Sequence, residues 1–171
     1  MHYDRWRFHG DPLAPVRFEG ATVKETLEHY LTRQGDCLIW TGQINRGGYG
    51  FLRRNGKTLT IHKLIWEQAN GPTPAGMKVD HRCHNRACGE LQHMRLATNK
   101  QNGENRKGAT RTSSIGIRGV SKHNNRFKAQ VQHNGERLYL GLYPTAEEAG
   151  EVARLKRIEL FTHNDTDRIA S

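Results

Sequence analysis

The sequence predicts an α+β protein built from two small modules. Only 35% of its 171 residues are hydrophobic, which is too few for one large core. Asn-Gly pairs at 55–56 and 134–135 separate alternating apolar and polar runs, as two-residue hairpin turns do. The polar, basic segment Asn105–Ser114 is typical of a linker. We therefore expect the following division: a first domain over 1–108, a linker over 109–114, a second domain over 115–163 and a tail over 164–171.

The first module is expected to contain short strands and two helices. A helix over His62–Asn70 has helical apolar spacing and ends at Gly71-Pro72, a helix stop. A Cys-rich loop follows a strand that ends at His81, and a short helix is expected from about Thr98 to Arg106. The predicted strands of this module are Cys37–Trp40 and the hairpin pair Phe51–Arg54 and Lys57–Ile61.

The second module is expected to be a three-stranded antiparallel sheet covered by one helix. Thr145 and Glu148 have the spacing of a capping box, which marks a helix start. The helix would present Ala149, Val152, Ala153 and Leu160 on one face. The three alternating runs that predict the strands are Ile115–Ser121, Arg126–His133 and Glu136–Tyr143.

The charge balance indicates a polyanionic partner. There are 27 basic and 17 acidic residues, a net charge of +10 and a pI near 9.9. Basic proteins gain affinity for nucleic acid by releasing the counterions of its phosphates. No apolar run approaches the roughly 18 residues of a membrane span, so we expect a cytoplasmic, intracellular protein. The arm at residues 5–13, R-W-R-F-H-G-D-P-L, is either a DNA-binding arm or a strand flank that packs Trp6 and Phe8.

The three cysteines suggest a structural metal. An odd number fits a metal site better than a disulfide framework. Cys83, Cys88 and His93 have spacings suited to tetrahedral zinc, and Cys37 begins a strand that could lie beside them. His84 is a competing ligand, but its place directly after Cys83 makes simultaneous coordination awkward. We expect a structural Zn²⁺ at Cys37, Cys83, Cys88 and His93.

A second donor set brackets the zinc ligands. Asp80 is a hard oxygen ligand suited to Mg²⁺ or another divalent cation, and His81 would point to the other side of the strand. An Asn102 on the following helix could return its amide oxygen to the same cation, although Asn99 and Asn105 are each about one turn away. Such a one-metal site could hydrolyse phosphodiesters, with neutral His81 as general base.

The pattern D-H-x-C-x4-C-x4-H-x8-N, with C-L-I-W-T-G and I-H-K-L-I-W-E-Q-A-N-G-P before it, resembles the HNH, or ββα-metal (His-Me finger), endonucleases. It is particularly similar to the zinc-containing His-Cys-box and phage homing types. The resemblance runs from about Cys37 to Asn105 and departs at 89–92, where many members have Asn-Pro. It implies His81 as base, Asp80 and Asn102 on the divalent cation, the four zinc ligands above, and His62 and Arg46 near the substrate phosphate.

Residues Ser114–Phe161 are similar to AP2-type DNA-binding domains. Ile-Arg-Gly-Val at 117–120, Arg-Phe-Lys-Ala-Gln-Val at 126–131 and Leu-Tyr-Leu-Gly-Leu-Tyr at 138–143 carry the likeness, with Phe127 where the family usually has Trp. The resemblance implies a sheet that lies in the major groove of DNA. Its expected DNA contacts are Arg118, Arg126, Lys128 and Arg137.

Together these features predict a zinc-stapled ββα-metal nuclease module followed by an AP2-like module. The expected activity is cleavage of double-stranded DNA by a metal-dependent endonuclease, acting as a monomer or homodimer. Two alternatives remain at this point: a non-catalytic, sequence-specific DNA-binding regulator and an RNA-directed nuclease.

Overall fold

The computed structural model describes residues 21–169. The described residues form two compact units, which divide between Leu96 and Ala97. The division therefore falls before the predicted linker and before the helix expected from Thr98. The amino-terminal arm at residues 5–13 lies outside the described residues.

The first unit is a set of short helices and two-stranded antiparallel sheets. Strand β1 pairs with β2, β3 with β4, and β5 with β6. The boundary between the units lies within β6. The elements are α1 (Val23–Tyr30), β1 (Leu31–Gln34), β2 (Cys37–Trp40), β3 (Phe51–Arg54), β4 (Lys57–Thr60), α2 (Ile61–Asn70), β5 (Met77–His81), a 3-10 turn (Leu91–His93) and β6 (Met94–Thr98).

Local sequence signals account for most of these boundaries. The Asn55-Gly56 hairpin is confirmed, with Asn55 at φ 49° and Arg54 opposite Lys57. The helix α2 begins one residue before the predicted start, and β4 is one residue shorter. The helix α1 was not predicted, although Thr22 and Glu25 form a complete capping box before it.

Trp40 is the centre of the small core of the first unit. It is 4% exposed and packs with the buried residues Leu27 and Ile61. A Cβ at Gly42 or Gly50 would lie 2.6 or 2.7 Å from Trp40 side-chain atoms, so both positions need glycine for the chain to pass this close. Trp40 thereby holds β2 and the segment before β3 together.

The second unit consists of a three-stranded sheet, order β7-β8-β9, with helices. The Asn134-Gly135 hairpin is confirmed by the pairing of His133 with Glu136. Thr145 accepts a hydrogen bond from the Glu148 amide at 3.2 Å, which explains the start of the long helix. The elements are α3 (Asn99–Glu104), β7 (Val120–His123), β8 (Arg126–His133), β9 (Glu136–Tyr143), α4 (Ala146–Leu160) and α5 (Asp165–Ile169).

The predicted strand Ile115–Ser121 is wrong over its first five residues, because β7 begins only at Val120. Gly119 has φ +85°, which is outside the conformation of a strand, and its Cβ position lies 2.6 Å from the carbonyl oxygen of Gln130. The Arg-Gly pair therefore forms a turn that allows backbone contact. The alternation of apolar residues before it reflects packing, since Ile115 and Ile117 contact the core.

Small residues on α4 let the helix lie close to the sheet. Ala129 and Val131 of β8 are buried against Ala149 and Ala153, as predicted for this helix face. A Cβ at Gly150 would meet Ile117 at 2.7 Å. The core of the second unit thus depends on close backbone approach more than on large side chains.

A buried ion pair joins α4 to α5. The Arg157 guanidinium donates to both carboxylate oxygens of Asp167, at 2.6 and 3.0 Å, and also to the Arg118 carbonyl at 2.8 Å. Burial opposes ionisation of Asp167, but the hydrogen bonds from Arg157 outweigh it and lower the pKa of this carboxyl.

Helix α3 is bound firmly within the second unit. The Arg118 guanidinium donates to the carbonyls of Gly103, Glu104 and Arg106, at 3.3, 3.1 and 2.8 Å. These carbonyls lie at or just after the carboxyl end of the helix, where the regular α-helical hydrogen bonds stop. The buried Glu104 accepts from the Thr162 amide, and Asn105 accepts from the Asp165 amide at 3.1 Å. A segment that the sequence predicted as the start of a linker is therefore part of the packed unit.

Within residues 21–169, no helix is both long enough and apolar enough to cross a membrane.

Replacing Asp167 with Ala should destabilise the second unit by about 3–5 kcal/mol, because Arg157 would remain buried without its carboxylate. Hydrogen exchange of the β8 amides in the full chain would measure the loss. The control is Glu151→Gln, which weakens the pair with Arg154, where the Glu151 side chain is 53% exposed. That change should cost less than about 1 kcal/mol. Equal effects of both changes would contradict the structural importance of the buried pair.

Candidate metal centre and histidine cluster

Four predicted ligands come together in the first unit. The donor atoms of Cys37, Cys83, Cys88 and His93 all lie within 4.8 Å of one another. Ligand atoms around a tetrahedral zinc with Zn–S near 2.3 Å are roughly 3.8 Å apart, so this set fits the ion. His93 offers Nδ1, which lies 3.5 Å from Sγ of both Cys37 and Cys88.

Backbone pairing brings Cys37 to the other ligands. Residues 38–40 of β2 run beside the Cys-rich loop: the Trp40 amide donates to Ala87, and the Gly89 amide donates to Leu38 at 2.6 Å. The Arg82 amide donates to the His93 carbonyl and closes the loop. Strand β2, which begins at Cys37, therefore lies beside the Cys-rich loop, as was expected from the sequence.

The thiols have raised pKa values in the metal-free chain. For Cys37, Cys83 and Cys88 the largest cause is burial, which disfavours the thiolate. A zinc ion reverses this preference, because coordinated thiols lose their protons. His84, the competing ligand, is outside the four-residue group and has a left-handed backbone, φ 57°.

His81 lies at the end of β5 in a cluster of aromatic rings. Its ring centroid is 4.8 Å from that of His62 and 6.3 Å from that of Tyr49, and the Tyr49 and His62 centroids are 5.2 Å apart. Burial is the main cause that lowers the pKa of His81, and it lowers the pKa of His62 to about 4. Both rings are therefore neutral at neutral pH.

A hydrogen bond defines the tautomer of His81. Its Nε2 is 3.1 Å from the carbonyl oxygen of Cys88. A carbonyl oxygen only accepts, so Nε2 carries the proton and donates. In the neutral ring the unprotonated nitrogen is then Nδ1, which is the atom able to accept a proton.

Asp80, which directly precedes His81 in the sequence, is buried and forms hydrogen bonds with Arg95. The Nε and Nη2 groups of Arg95, on β6, both donate to Asp80 Oδ2 at 3.2 Å. A carboxylate has about four lone-pair sites on two oxygens, so this pairing is compatible with a cation ligand. Arg95 was not identified from the sequence, and no short motif would have revealed it.

The three candidate asparagines differ in their surroundings within the second unit. Asn105 is buried and accepts the Asp165 amide, whereas Asn99 and Asn102 are exposed on α3. Asn105 is thus engaged as a structural residue. Asn102 stays the predicted cation ligand.

The loop before β3 carries the predicted phosphate contact Arg46. Asn45 organises this loop, because its side-chain oxygen accepts from the amides of Gly47 and Tyr49. Arg46 itself is exposed on the turn. Tyr49 lies in the same loop and its ring contacts that of His62, although it was not predicted as a site residue from the sequence.

The outward face of the sheet in the second unit is basic and polar. Ala129 and Val131 face α4, so Arg126 and Lys128 alternate to the opposite face. Arg137 shares that face because it pairs with Gln132. Gln130 and its partner Tyr139, which is 62% exposed, lie there too and were not identified from the sequence.

Arg118 differs from the other three predicted DNA contacts. Its guanidinium donates to backbone carbonyls near the end of α3 and lies over the Phe161 ring, 5.4 Å from the centroid. Burial, followed by the nearby charges of Arg157 and Arg106, lowers the pKa of Arg118 to about 10. Its position gives this arginine a structural role.

Comparison with known proteins relates the chain to viral proteins. Residues 60–104 match the family described as HNH endonuclease. The chain is 41% identical over 75 residues to an uncharacterized gene 5.3 protein of Enterobacteria phage T3, a match that covers 40% of this chain and 74% of the T3 protein. It is 45% identical over 69 residues to Protein 7.7 of Escherichia phage T7, covering 40% of this chain and 53% of that protein.

A third relative extends over more of the chain. The uncharacterized HNH endonuclease L560 of Acanthamoeba polyphaga mimivirus is 32% identical over 119 residues, 69% of this chain and 61% of its own length. That match is longer than the first unit alone. The chain thus spans about half to three fifths of the T7 and mimivirus relatives. No solved structure matches.

Replacing Cys88 with Ser should remove zinc and destabilise the first unit. A structural zinc contributes several kcal/mol, and each kcal/mol corresponds to about 4–8 °C of Tm in a unit of this size. Zinc content and tryptophan fluorescence would measure both effects, since all three tryptophans precede Ala97.

The matched control for this change is His84→Asn, because asparagine tolerates the left-handed backbone at this position. This variant should keep one zinc per chain and the wild-type Tm. Zinc loss in the His84 variant, or retention in the Cys88 variant, would overturn the assigned ligand set.

Proposed function

We propose that the chain is a metal-dependent endonuclease that cleaves double-stranded DNA, because residues 60–104 match the family described as HNH endonuclease. The observation that carries the proposal is the hydrogen bond from His81 to the Cys88 carbonyl, which leaves Nδ1 as the proton acceptor. A regulator that only binds DNA needs no neutral, oriented histidine beside a carboxylate. The basic composition supports a nucleic-acid substrate.

His81 acts as the general base in this proposal. Its Nδ1 takes a proton from water while the water oxygen bonds to phosphorus and the bond from phosphorus to the 3′ oxygen breaks. The leaving 3′ oxygen takes a proton from solvent, so the products carry 5′ phosphate and 3′ hydroxyl ends. The lowered pKa of His81 keeps the base unprotonated at neutral pH.

Asp80 and Asn102 are proposed as the protein ligands of Mg²⁺ or a similar cation, by resemblance to the family. When bound, such a cation stabilises the charge that develops on the phosphate and the leaving oxygen. Arg95 orients the Asp80 carboxylate through two hydrogen bonds. His62 contributes a buried Nδ1 that has no hydrogen-bond partner within the described residues, so a substrate oxygen could occupy that position.

The second unit is proposed to be an AP2-like DNA-binding module. Arg126, Lys128 and Arg137 share one face of a three-stranded sheet, with Gln130 and Gln132 between them. Arginine pairs with guanine and glutamine with adenine through two hydrogen bonds each. Arg118 is not included in this surface, because its guanidinium donates to backbone carbonyls.

His81→Ala should lower the rate of plasmid nicking in Mg²⁺ by about 10²–10⁴-fold, the usual contribution of a general base. Duplex affinity should be unchanged, because the ring acts on water. The control is His29→Ala on α1, which should leave both quantities as in the wild type. Nicking by the His81 variant at the wild-type rate would remove the base from the mechanism. A wild-type protein that binds duplex but never nicks it would favour the regulator, and faster cleavage of RNA would favour the RNA-directed nuclease.

The double change Arg126→Ala and Arg137→Ala should weaken duplex binding by roughly 1–3 kcal/mol for each arginine that contacts a base. Fluorescence anisotropy with the His81→Ala protein would measure affinity without cleavage. Lys156→Ala is the matched control, since Lys156 pairs with Glu159 on α4, the helix that covers the opposite face. Equal affinities of the double variant and this control would mean that the sheet face does not bind DNA.

A further inference from the structure

Arg86 lies in the zinc loop, between Cys83 and Cys88, and its side chain is exposed. Its Nη1 donates to the Gly47 carbonyl at 2.8 Å. Its Cζ is 5.4 Å from the centroid of the Tyr49 ring, a distance that permits a cation–π contact. The guanidinium is therefore held by the loop that leads to β3, although it belongs to the zinc loop.

Tyr49 connects this guanidinium to the histidine cluster. The Tyr49 ring contacts the Arg86 guanidinium, and its centroid is 5.2 Å from that of the His62 ring. The His81 ring lies within 6.3 Å of the same tyrosine. A fixed positive charge therefore stands one aromatic ring away from the proposed general base.

The chemistry of this group suits a phosphate. A guanidinium has five N–H donors in a planar fork, and within residues 21–169 the recorded hydrogen bond from Arg86 uses one of them. Exposure leaves the fork accessible, while two anchors restrict its orientation. Arg46, by comparison, is exposed on a turn in which the Asn45 side chain accepts a hydrogen bond from the Gly47 amide.

We propose that Arg86 binds a non-bridging oxygen of the DNA phosphate that is cleaved and stabilises the charge that develops on it. This inference rests on the proposed function and adds a catalytic residue to it. The zinc loop then supplies two groups to the reaction: the carbonyl of Cys88, which orients His81, and the guanidinium of Arg86, which touches the substrate.

The first experiment measures single-turnover nicking of a duplex in Mg²⁺. Arg86→Ala should lower the rate by about 10²–10³-fold, as removal of a transition-state donor does. Arg86→Lys should restore part of it, since it keeps the charge and loses the fork. Lys24→Ala, whose native side chain is 83% exposed, should change the rate by less than threefold. Wild-type rates for Arg86→Ala would overturn the proposal.

The second experiment tests the phosphate contact without cleavage. In the His81→Ala background, the slope of log affinity against log salt concentration should fall by about 0.9 on adding Arg86→Ala, the value for one lost phosphate contact. Adding Lys24→Ala should leave the slope unchanged. If Arg86→Ala leaves the slope unchanged, the phosphate contact is overturned, even when the wild type cleaves no DNA. If only cleavage by the wild type fails, the proposed nuclease function is overturned instead.

Zinc content separates this role from a loss of structure. Arg86→Ala should retain one zinc per chain and the wild-type Tm, because its anchors are exposed contacts outside the ligand set. If Arg86→Ala loses zinc together with nicking, and a zinc-retaining Arg86→Lys protein nicks at the full wild-type rate, Arg86 has a role in loop structure and the proposal is overturned.

Discussion

The hydrogen bond between His81 and the Cys88 carbonyl is the interaction on which the rest of the first unit depends. Cys88 belongs to the candidate zinc site through its sulfur and to the histidine cluster through its backbone oxygen. One residue thus sets the geometry of both sites. The loop between Cys83 and Cys88 has few large apolar residues, so its conformation depends on its pairing with β2 and would depend further on the proposed zinc. A metal bound at the candidate site would maintain this loop and with it the tautomer and orientation of His81, the proposed base.

Much of the candidate site was predictable because its determinants are local in the sequence. The spacing of Cys83, Cys88 and His93 indicated zinc, and the two Asn-Gly turns predicted two hairpins whose pairing begins directly beside each turn. Contacts between distant segments were harder to predict. Arg95 reaches Asp80 across a sheet, and Arg86 reaches Gly47 from another loop. No periodicity or short motif encodes which exposed arginine will meet which carbonyl, so only the fold could select these residues.

The predicted strand at Ile115 and the linker before it illustrate a second limit. Polar, basic sequence usually marks a solvated segment, yet Asn105, at the start of this segment, is 3% exposed, and Glu104 just before it is 5% exposed. Their polar atoms are buried because the second unit supplies donors to them: the amides of Asp165 and Thr162. The composition of a segment indicates how polar it is, but it does not indicate which protein groups can hydrogen-bond to it in place of water. The same reasoning explains why Arg118, chosen as a DNA contact, donates to carbonyls instead.

These contacts assign α3, and with it Asn102, to the same compact unit as the basic sheet face. Asp80 and His81 belong to the other unit. The sequence motif that relates the chain to HNH endonucleases, residues 60–104, therefore crosses a structural boundary at Ala97. A motif is defined by the order of its chemical groups along the chain, whereas a compact unit is defined by packing, and the two need not share limits. Substitutions at Arg118 or Glu104 would first disturb α3, the helix that carries Asn102. Substitutions at the proposed zinc ligands would first disturb the orientation of His81.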